Sequence, residues 1–423
     1  SLSFPLNLVV TDVDAASPHN DTLLSVRRLQ VNVQLLPLLK KQVEVDGISL
    51  QGATVNSNDL IHGMKLNGTL GELFISSHGV ALDPETAIVN KVLLKDTDLS
   101  LCLNDTAAVD TAASDTTYWK IILQDIDLQN VSFALDMPLD SLSLAASLDN
   151  AILRDGLIDL HKSAYSLQTF RIKNGRVRYD SGKPLAADSL PSGLDPSHIA
   201  LTDIGVKLDS LYYEGRNMKA IISQFVLKER SGVEIVSATG RMVSNDKVLR
   251  VPSLKLETRD SYLELNAAMD WNALDFKGEG LVSARLMADI GKPDVVRFMG
   301  RMDEKFVRQY PSEPLRIRTG IDGDLNKLKL TTLTAELPGA LGLFARGELT
   351  HLTDSLLRGG DITLEAETKD LKFVSTLAEG IEIPYGTRLE GKFTMAGAKM
   401  GTDLLLMQPE AQAVAAADTI PIT

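Results

Sequence analysis

Apolar and polar residues alternate along most of this chain. The pattern is clearest in residues 43–50, 126–135 and 170–179, where nearly every second residue is Val, Ile, Leu, Phe or Tyr. Successive side chains of a β-strand point to opposite faces. Each of these runs therefore predicts strand structure with one apolar face and one polar face.

Short polar breaks interrupt the alternation at Asp46-Gly47, Asn130 and Asn174-Gly175. We interpret each break as a tight turn between two paired strands, because Asn and Gly favour hairpin turns. Turns recurring at intervals of about 8 to 14 residues indicate an antiparallel meander, with no room for the crossover helices of a parallel sheet. The sequence therefore predicts a mostly β protein.

Helical spacing is confined to two places. Apolar residues after Asp294, a suitable N-cap, predict a helix over 294–309, and residues 370–379 predict a second short one. The segment from Asp322 to Asn326 begins like a calcium-binding loop but lacks the downstream Glu, so we interpret it as a hairpin turn.

Two polar stretches, 104–117 and 180–198, predict long exposed loops. The second separates halves of similar rhythm, which predicts domains over 1–190 and 191–407. The Ala-rich residues 408–423 contain no Lys or Arg, and we expect them to form a disordered tail.

Composition narrows the range of partners. The net charge of −13 argues against nucleic acid, which requires clustered Lys and Arg, and against adhesion to anionic membranes through a broad basic patch. Any membrane contact should therefore run through an end of the molecule or a separate anchor. Aromatic residues make up 5% of the chain, so its apolar surface is largely aliphatic and suits aliphatic ligands.

The sequence predicts no enzyme, cofactor or metal site. The six histidines show no His-Glu-x-x-His spacing, Cys102 is the single cysteine, and the common phosphate-loop and hydrolase motifs do not occur. The acidic pairs Asp12/Asp14 and Asp125/Asp127 have a spacing that is common on the solvated faces of strands, so we assign them no catalytic role.

Three segments carry a family resemblance. Residues 29–53 contain the run Leu29-x-Val31-x-Val33-x-Leu35-Leu36-Pro37-Leu38-Leu39-Lys40-Lys41 and then alternate as far as Gly52-Ala53. Residues 119–133 read Trp-Lys-Ile-x-Leu-x-x-Ile-x-Leu-x-Asn-Val-x-Phe, and Asp294-Val-Val-x-Phe is followed by Gly320 and Gly323-Asp-Leu. The first segment resembles the early strands of the AsmA-like superfamily, and the other two resemble repeats of its TamB branch.

This resemblance implies a protein of the periplasm of Gram-negative bacteria, anchored in the inner membrane by one helix. Its expected fold is an elongated, curled antiparallel sheet, taco-like, that forms an open hydrophobic groove, with one or two short helices. Its expected function is passive transport of phospholipids between the two membranes. The chain opens at Ser1 in strand-like sequence, so we expect the anchor, and the region that would meet an outer-membrane barrel partner, to lie outside this fragment.

We predict that phospholipid acyl chains lie against the apolar face of the sheet. The candidate lining residues are Val31, Val33, Leu35, Val43, Val45, Ile126, Leu128, Val131, Phe133, Leu135, Phe170, Ile172, Val177 and Tyr179. Periodicity alone also permits a closed β-sandwich core, since both arrangements bury the same face. Two other functions stay open: a scaffold for outer-membrane barrel assembly, and a glycan-binding sandwich, which the presence of just two tryptophans disfavours.

Overall fold

The computed structural model describes residues 5–16, 22–34, 45–57, 63–81, 85–104, 118–182, 193–275, 280–300, 302–377, 384–397, 399–408 and 411–416. The predicted loops at 104–117 and 180–198 fall largely outside these residues, and so do the groove candidates Leu35 and Val43.

The chain is mostly β, as the alternation predicts. Strands account for 73% of it, in 22 strands of mixed pairing accompanied by three short α-helices. It separates into two compact units: unit 1 comprises residues 1–191 and 195–230, and unit 2 comprises residues 192–194 and 231–423. The predicted division between independent domains after residue 190 stays a prediction.

Unit 1 is built from long strands. Those described are β1 (Pro5–Ala16), β2 (Thr22–Gln34), β3 (Val45–Asn56), β4 (Met64–Ala81), β5 (Thr86–Leu103), β6 (Lys120–Met137), β7 (Leu142–Asp159), β8 (Ala164–Leu167), β9 (Thr169–Ser181), β10 (His198–Glu214) and β11 (Asn217–Glu229). A 3-10 turn, Pro138–Asp140, joins β6 to β7. Most neighbours are antiparallel, and β9 lies between β7 and β10.

One pair of strands corrects the expectation of a wholly antiparallel sheet. Strands β5 and β6 run parallel, with Thr86 opposite Lys120 and Cys102 opposite Asp136. Parallel neighbours cannot be joined by a tight turn. The connection between them is the long polar stretch around 105–117, which lies outside the described residues.

The three predicted tight turns are also wrong. Gly47, Asn130 and Asn174 all lie inside single strands, where β3, β6 and β9 continue without reversing direction. Asn130 and Asn174 adopt the left-handed backbone conformation, with φ of 51° and 59°. Asn tolerates this conformation better than most residues because its short polar side chain can hydrogen-bond locally.

These left-handed residues belong to a line of irregular positions that crosses unit 1, which we call the crease. On each strand from β1 to β9, β8 excepted, one residue is left out of the regular cross-strand pairing. These residues lie opposite one another on successive strands, so they form a line across the sheet. The residues of the crease are Asp12, Arg27, Gly52, Gly71, Asp96, Asn130, Asp149 and Asn174. Asp12, Gly52 and Asp96 share the positive φ of the two asparagines.

The crease explains why the apolar pattern changes phase within a strand. In β9 the exposed side chains are Arg171, Lys173, Asn174, Arg176 and Arg178, so two successive residues point outward at the crease. The intervening residues are half-buried or buried. The strand thus keeps one apolar face on both sides of the irregular position.

Unit 2 is a meander of shorter strands. Those described are β12 (Glu234–Ser244), β13 (Val248–Thr258), β14 (Tyr262–Asp270), β15 (Leu281–Ile290), β16 (Leu315–Asp324), β17 (Lys327–Leu337), β18 (Leu341–Thr350), β19 (Gly359–Thr368), β20 (Arg388–Ala396), β21 (Lys399–Gln408) and β22 (Ala411–Ala416). The turn predicted from Asp322 to Asn326 does join β16 to β17, with the Asp324 carboxylate accepting from the Asn326 amide at 2.8 Å. Of the predicted disordered tail, 411–416 pair with β21, and 417–423 lie outside the described residues.

Unit 2 also contains three short α-helices, which lie near the ends of its strands. They are α1 (Trp271–Leu274), α2 (Lys292–Met299) and α3 (Glu304–Gln309). The segment 294–309, expected to form one helix, thus forms parts of two. Gly300, with φ of 75°, ends α2 because its backbone leaves helical geometry. Residues 370–379 contain a 3-10 helix, Lys372–Thr376.

Two hydrophobic clusters lie at opposite strand ends of unit 2. At one end, Phe306, Tyr310 and Phe373 pack with ring centroids 5.1 to 5.8 Å apart. They bury Leu337 and Ala340 at the turn between β17 and β18. At the other end, α1 places Ala273 against Val282 and Leu325.

Candidate functional site: the apolar face of unit 1

The described groove candidates share one face of unit 1. Cross-strand register places them in rows, a row being the residues that lie opposite one another on successive strands. Ten of them, from Val31 on β2 to Tyr179 on β9, occupy rows that run continuously through the sheet, while Val33 pairs with Val45 at one border. The structure therefore brings these residues together, and their contact with lipid stays a prediction.

The row through Leu128 shows how continuous this face is. It consists of Val10, Leu29, Leu50, Leu73, Leu94, Leu128, Ala151, Ile172 and Val206. Strands lie about 4.8 Å apart, so nine of them extend the row over roughly 38 Å. That is more than twice the roughly 15 Å that one acyl chain spans in a bilayer leaflet.

Three further rows have the same character. They are Leu8, Val31, Ile48, Ile75, Val92, Ile126, Leu153, Phe170 and Leu208; Val13, Val26, Ala53, Leu70, Thr97, Val131, Leu148, Gly175 and Ile204; and Ala15, Leu24, Val55, Gly68, Leu99, Phe133, Ala146, Val177 and Leu201. We call these four rows the apolar face. No charged residue occurs among their members, all of which the structure describes.

Thr97 is the one residue of the apolar face with a polar side chain. It is 2% exposed, and its hydroxyl donates to the backbone oxygen of Lys95 at 3.2 Å. A hydroxyl bonded within its own strand presents no free donor to the face. The apolar face is therefore uninterrupted in chemical terms.

Exposure varies across the apolar face. Its most buried residues lie beside the crease, with Ala151 at 3% and Val26 at 5%, although Val10 in one of these rows is 37% exposed. Phe133, in the row farther from the crease, is 39% exposed. Bending at an irregular strand position draws neighbouring side chains together on the inner side. The crease thus forms the floor of a trough whose walls are the two halves of each strand.

The opposite face of unit 1 is largely polar, although its row through Asp127 also contains Phe74, Leu93 and Ile152. One of its rows reads Asp14, Ser25, Thr54, Thr69, Asp98, Ser132, Ser147 and Arg176. The crease belongs to this face as well, where Asn130 Nδ2 donates to Asp96 Oδ1 at 2.9 Å and Asn174 Nδ2 to Asp149 Oδ2 at 2.6 Å. These side-chain bonds stabilise the left-handed residues.

The acidic pair Asp125/Asp127 lies on this polar face. Arg154 Nη2 contacts Asp127 Oδ1 at 2.9 Å, and Arg154 Nη1 contacts Asp125 Oδ1 at 2.5 Å. One guanidinium therefore pairs with both carboxylates across the β6–β7 pair, an arrangement that stabilises the strand pair. Asp12 of the other pair is a crease residue.

Sequence reasoning missed most of the apolar face. The leucines Leu29, Leu50, Leu73 and Leu94, one on each strand from β2 to β5, were not singled out, although they form the centre of the row through Leu128. The alternation of apolar and polar residues marks each of these leucines within its own strand. The strand register is needed to show that the four leucines lie side by side.

Unit 2 repeats the two-faced arrangement. Its central inner row is Ala238, Leu256, Leu263, Ala288, Ile317, Ala335, Leu343, Ala366, Leu389 and Leu406. The helical elements and turns of the two hydrophobic clusters pack against the ends of these strands. Its inner face is therefore covered at both ends, whereas the described residues of unit 1 form no such cluster over the apolar face.

A buried polar cluster fixes α2 to the strands of unit 2. Asp294, 1% exposed, accepts hydrogen bonds from the hydroxyls of Thr258 and Ser261, the latter at 2.6 Å. Arg297 Nη1 binds Asp294 at 3.0 Å and Asp260 at 2.7 Å. Burial of Arg297 disfavours its charged form, but the hydrogen bonds that Arg297 donates to the Asp260 and Asp294 carboxylates outweigh this effect and raise the pKa of Arg297.

In the part of the chain that the structure describes, no helix has the length and apolar character needed to cross a membrane. The sequence matches no protein-family model and no curated protein.

Proposed function

We propose that unit 1 binds phospholipid acyl chains on its apolar face and lets them move along it. The observation that carries this proposal is the set of four charge-free rows, each crossing nine strands, in a unit whose described residues contain no hydrophobic cluster of the kind that closes unit 2. A monomeric protein rarely leaves so long an apolar surface uncovered unless something binds it.

The energetics favour acyl chains as the occupant. Burying a methylene group is worth about 0.8 kcal/mol, so one tail recovers on the order of 10 kcal/mol against an aliphatic wall. This gain offsets the loss of the bilayer environment when a lipid leaves a membrane. Because successive positions along a row are chemically alike, the lipid can shift between them without crossing a charged site. Transport of this kind requires no reaction chemistry.

The resemblance to AsmA-like proteins of the TamB branch supports the same reading. On that basis we propose that the chain is a periplasmic segment of an inner-membrane-anchored bridge that conducts phospholipids passively between the inner and outer membranes. Phospholipid is the proposed ligand, and an outer-membrane barrel is the proposed protein partner.

The test is to place a charge on the apolar face and measure bound lipid. Leu128→Asp should remove co-purifying phospholipid, as detected by native mass spectrometry, because a carboxylate blocks acyl packing at mid-row. Gln129→Asp is the matched control, since it puts the same charge one residue away on the polar face, and it should retain the lipid.

Circular dichroism checks that both variants fold. If Leu128→Asp does not fold, Phe133→Asp tests the same face at a more exposed position. Absence of lipid from the unmodified protein, or equal lipid in the Leu128→Asp and Gln129→Asp proteins, would refute the proposal.

A second candidate, a scaffold for outer-membrane barrel assembly, is favoured by one observation. Strand β1 pairs with β2 alone among the described strands, and Leu8, Val9 and Val10 are exposed on it. Exposed strand edges can pair with a client strand. Binding of unfolded barrel peptides by lipid-free protein would support this candidate. Nothing in the structure favours the glycan-binding alternative.

A further inference from the structure

One edge of unit 1 concentrates amphipathic aromatic residues. The start of β6, the end of β7, β8, the end of β10 and the start of β11 all meet there, since Lys120 pairs with Asp159, Asp159 with Ala164, and Ala164 with Glu214. We call Tyr118, Trp119, Tyr165, Tyr212 and Tyr213 the aromatic edge. It holds four of the eight tyrosines and one of the two tryptophans of the chain.

Four of these five aromatic side chains are exposed, and Trp119 is half-buried. The four tyrosines are between 37% and 51% exposed. The Tyr165 and Tyr213 rings lie 6.1 Å apart, and the Tyr118 ring meets the edge of His161 at 5.6 Å. Clusters of exposed rings are unfavourable in water unless something covers them.

The residue types indicate what covers them. Each ring of the aromatic edge carries a polar atom, and phenylalanine does not occur in the segments 118–122, 157–169 and 209–222 that form this edge. Tyr and Trp, with an apolar ring and a polar tip, are the residues enriched where a membrane meets water.

The rings also project on both faces of the sheet. Tyr165 and Tyr213 share a row with Ile158, while Tyr212, next to Tyr213, points to the opposite face. If the rings served only to contact a lipid held on the apolar face, aromatic residues would be needed on that face alone. If the edge inserts into a bilayer interface, aromatic residues are needed on both faces of the sheet.

Local charge agrees with this assignment. The basic residues Lys120, Lys162, Arg216 and Lys219 are exposed along the edge, and the acidic residues Glu85, Asp159, Asp209 and Glu214 balance them. The Tyr212 hydroxyl donates to Glu214, and this bond raises the pKa of Tyr212, so the phenol stays neutral. In a chain with a net charge of −13, this edge therefore carries no excess negative charge that would repel a phospholipid headgroup layer.

We propose that the aromatic edge docks unit 1 on the surface of a phospholipid bilayer. The inference deepens the proposed function and rests on it for the role of this contact, which is to bring the apolar face next to a source or acceptor of lipid. The row of Ile121, Ile158, Tyr165 and Tyr213 runs along this edge, so docking places it next to the bilayer interface.

The two tryptophans provide a direct test in the full chain. Trp271→Phe leaves Trp119 as the single tryptophan, and Trp119→Phe leaves Trp271 in unit 2 as the matched control. With vesicles of phosphatidylcholine and phosphatidylglycerol, Trp119 emission should shift to shorter wavelength. It should be quenched by lipids brominated near the headgroup, and Trp271 emission should not change. Failure to bind these vesicles, or equal quenching of both tryptophans, would overturn the proposal.

A second variant tests the tyrosines. Tyr165→Ser, Tyr212→Ser and Tyr213→Ser combined should lower vesicle affinity by about tenfold, equal to about 1.4 kcal/mol. Tyr385→Ser, which changes a tyrosine of unit 2 that is 70% exposed, should leave the affinity unchanged. An unchanged affinity in the triple variant would count against the proposal, and if that variant does not fold, the quenching measurement decides.

Failure of docking and failure of the proposed function are distinguishable. The triple variant should still carry co-purified phospholipid in native mass spectrometry, whereas Leu128→Asp should lose bound lipid and still dock. Docking without bound lipid in any variant would leave the aromatic edge standing and refute carriage along the apolar face.

Discussion

Units 1 and 2 share one strand pattern and differ, among the residues that the structure describes, in what covers it. Both have inner rows of aliphatic residues and polar outer rows. In unit 2, α3 and the segments beyond β17 and β19 bring Phe306, Tyr310 and Phe373 over the strand ends. Unit 1 has a turn of a 3-10 helix and long strands bent at the crease. The comparison teaches that alternation specifies a two-faced sheet, while the connecting segments decide whether the inner face is sealed.

The comparison is sharpest for one phenylalanine from each unit. Phe306→Ala removes a ring that is 1% exposed, and the expected cost is about 3 to 5 kcal/mol of the free energy of unfolding of unit 2. Phe133→Ala, on the open apolar face, should cost about 1 kcal/mol in unit 1 because its ring is already partly hydrated. Urea denaturation followed by Trp271 fluorescence for unit 2 and Trp119 fluorescence for unit 1 reports each loss. Equal losses would mean that the apolar face of unit 1 is covered.

Breaking a buried ion pair in unit 2 should lower the free energy of unfolding more than breaking an exposed ion pair does. Asp294→Ala leaves Arg297 half-paired and the Thr258 and Ser261 hydroxyls without their acceptor, so we expect a loss of about 3 kcal/mol. The matched control is Asp289→Ala, which removes the partner of Arg318 at 2.7 Å where both side chains are 39% exposed, at a cost of at most about 1 kcal/mol. Thermal unfolding of both variants tests the ranking, and a reversed order would show that the Asp294 cluster does not hold α2.

The crease should give the smallest effect. Asn174→Val places a β-branched residue at φ of 59° and should destabilise unit 1 by about 1 to 2 kcal/mol. Asn174→Gly removes the same hydrogen bond to Asp149, but glycine adopts a positive φ without strain. The loss of stability should therefore be smaller than in the Val variant. Denaturation midpoints compare the two variants. A Val variant as stable as the Gly variant would show that the left-handed conformation is not required.

Much of the fold could be predicted because alternation is a local property. The β content followed from it, and every described groove candidate falls on one face of unit 1. The crease could not be recognised by residue type, since Asn and Gly serve both hairpin turns and left-handed strand positions. A phase signal was nevertheless present: Val131 follows Asn130 immediately, which leaves too few residues for a two-residue turn.

Other misses have similarly local causes. Gly300 interrupts the apolar spacing that suggested one helix, and a glycine at that place is a helix-ending signal. The parallel β5–β6 pair depends on strand order, which no local pattern encodes, although the length of the polar stretch between them exceeds what a hairpin requires. The aromatic edge joins residues from three distant segments, so it became visible with the strand register.

The crease also bears on how such a strand can change in length over evolution. At Asn130 and its neighbours, the alternation between inward and outward side chains starts again. Two residues added at one end of a strand therefore lengthen one wall, and every inward position on the other side of the crease stays inward. Depth of the trough and identity of its floor can therefore vary separately, and wall height becomes a quantity that insertions in pairs can tune.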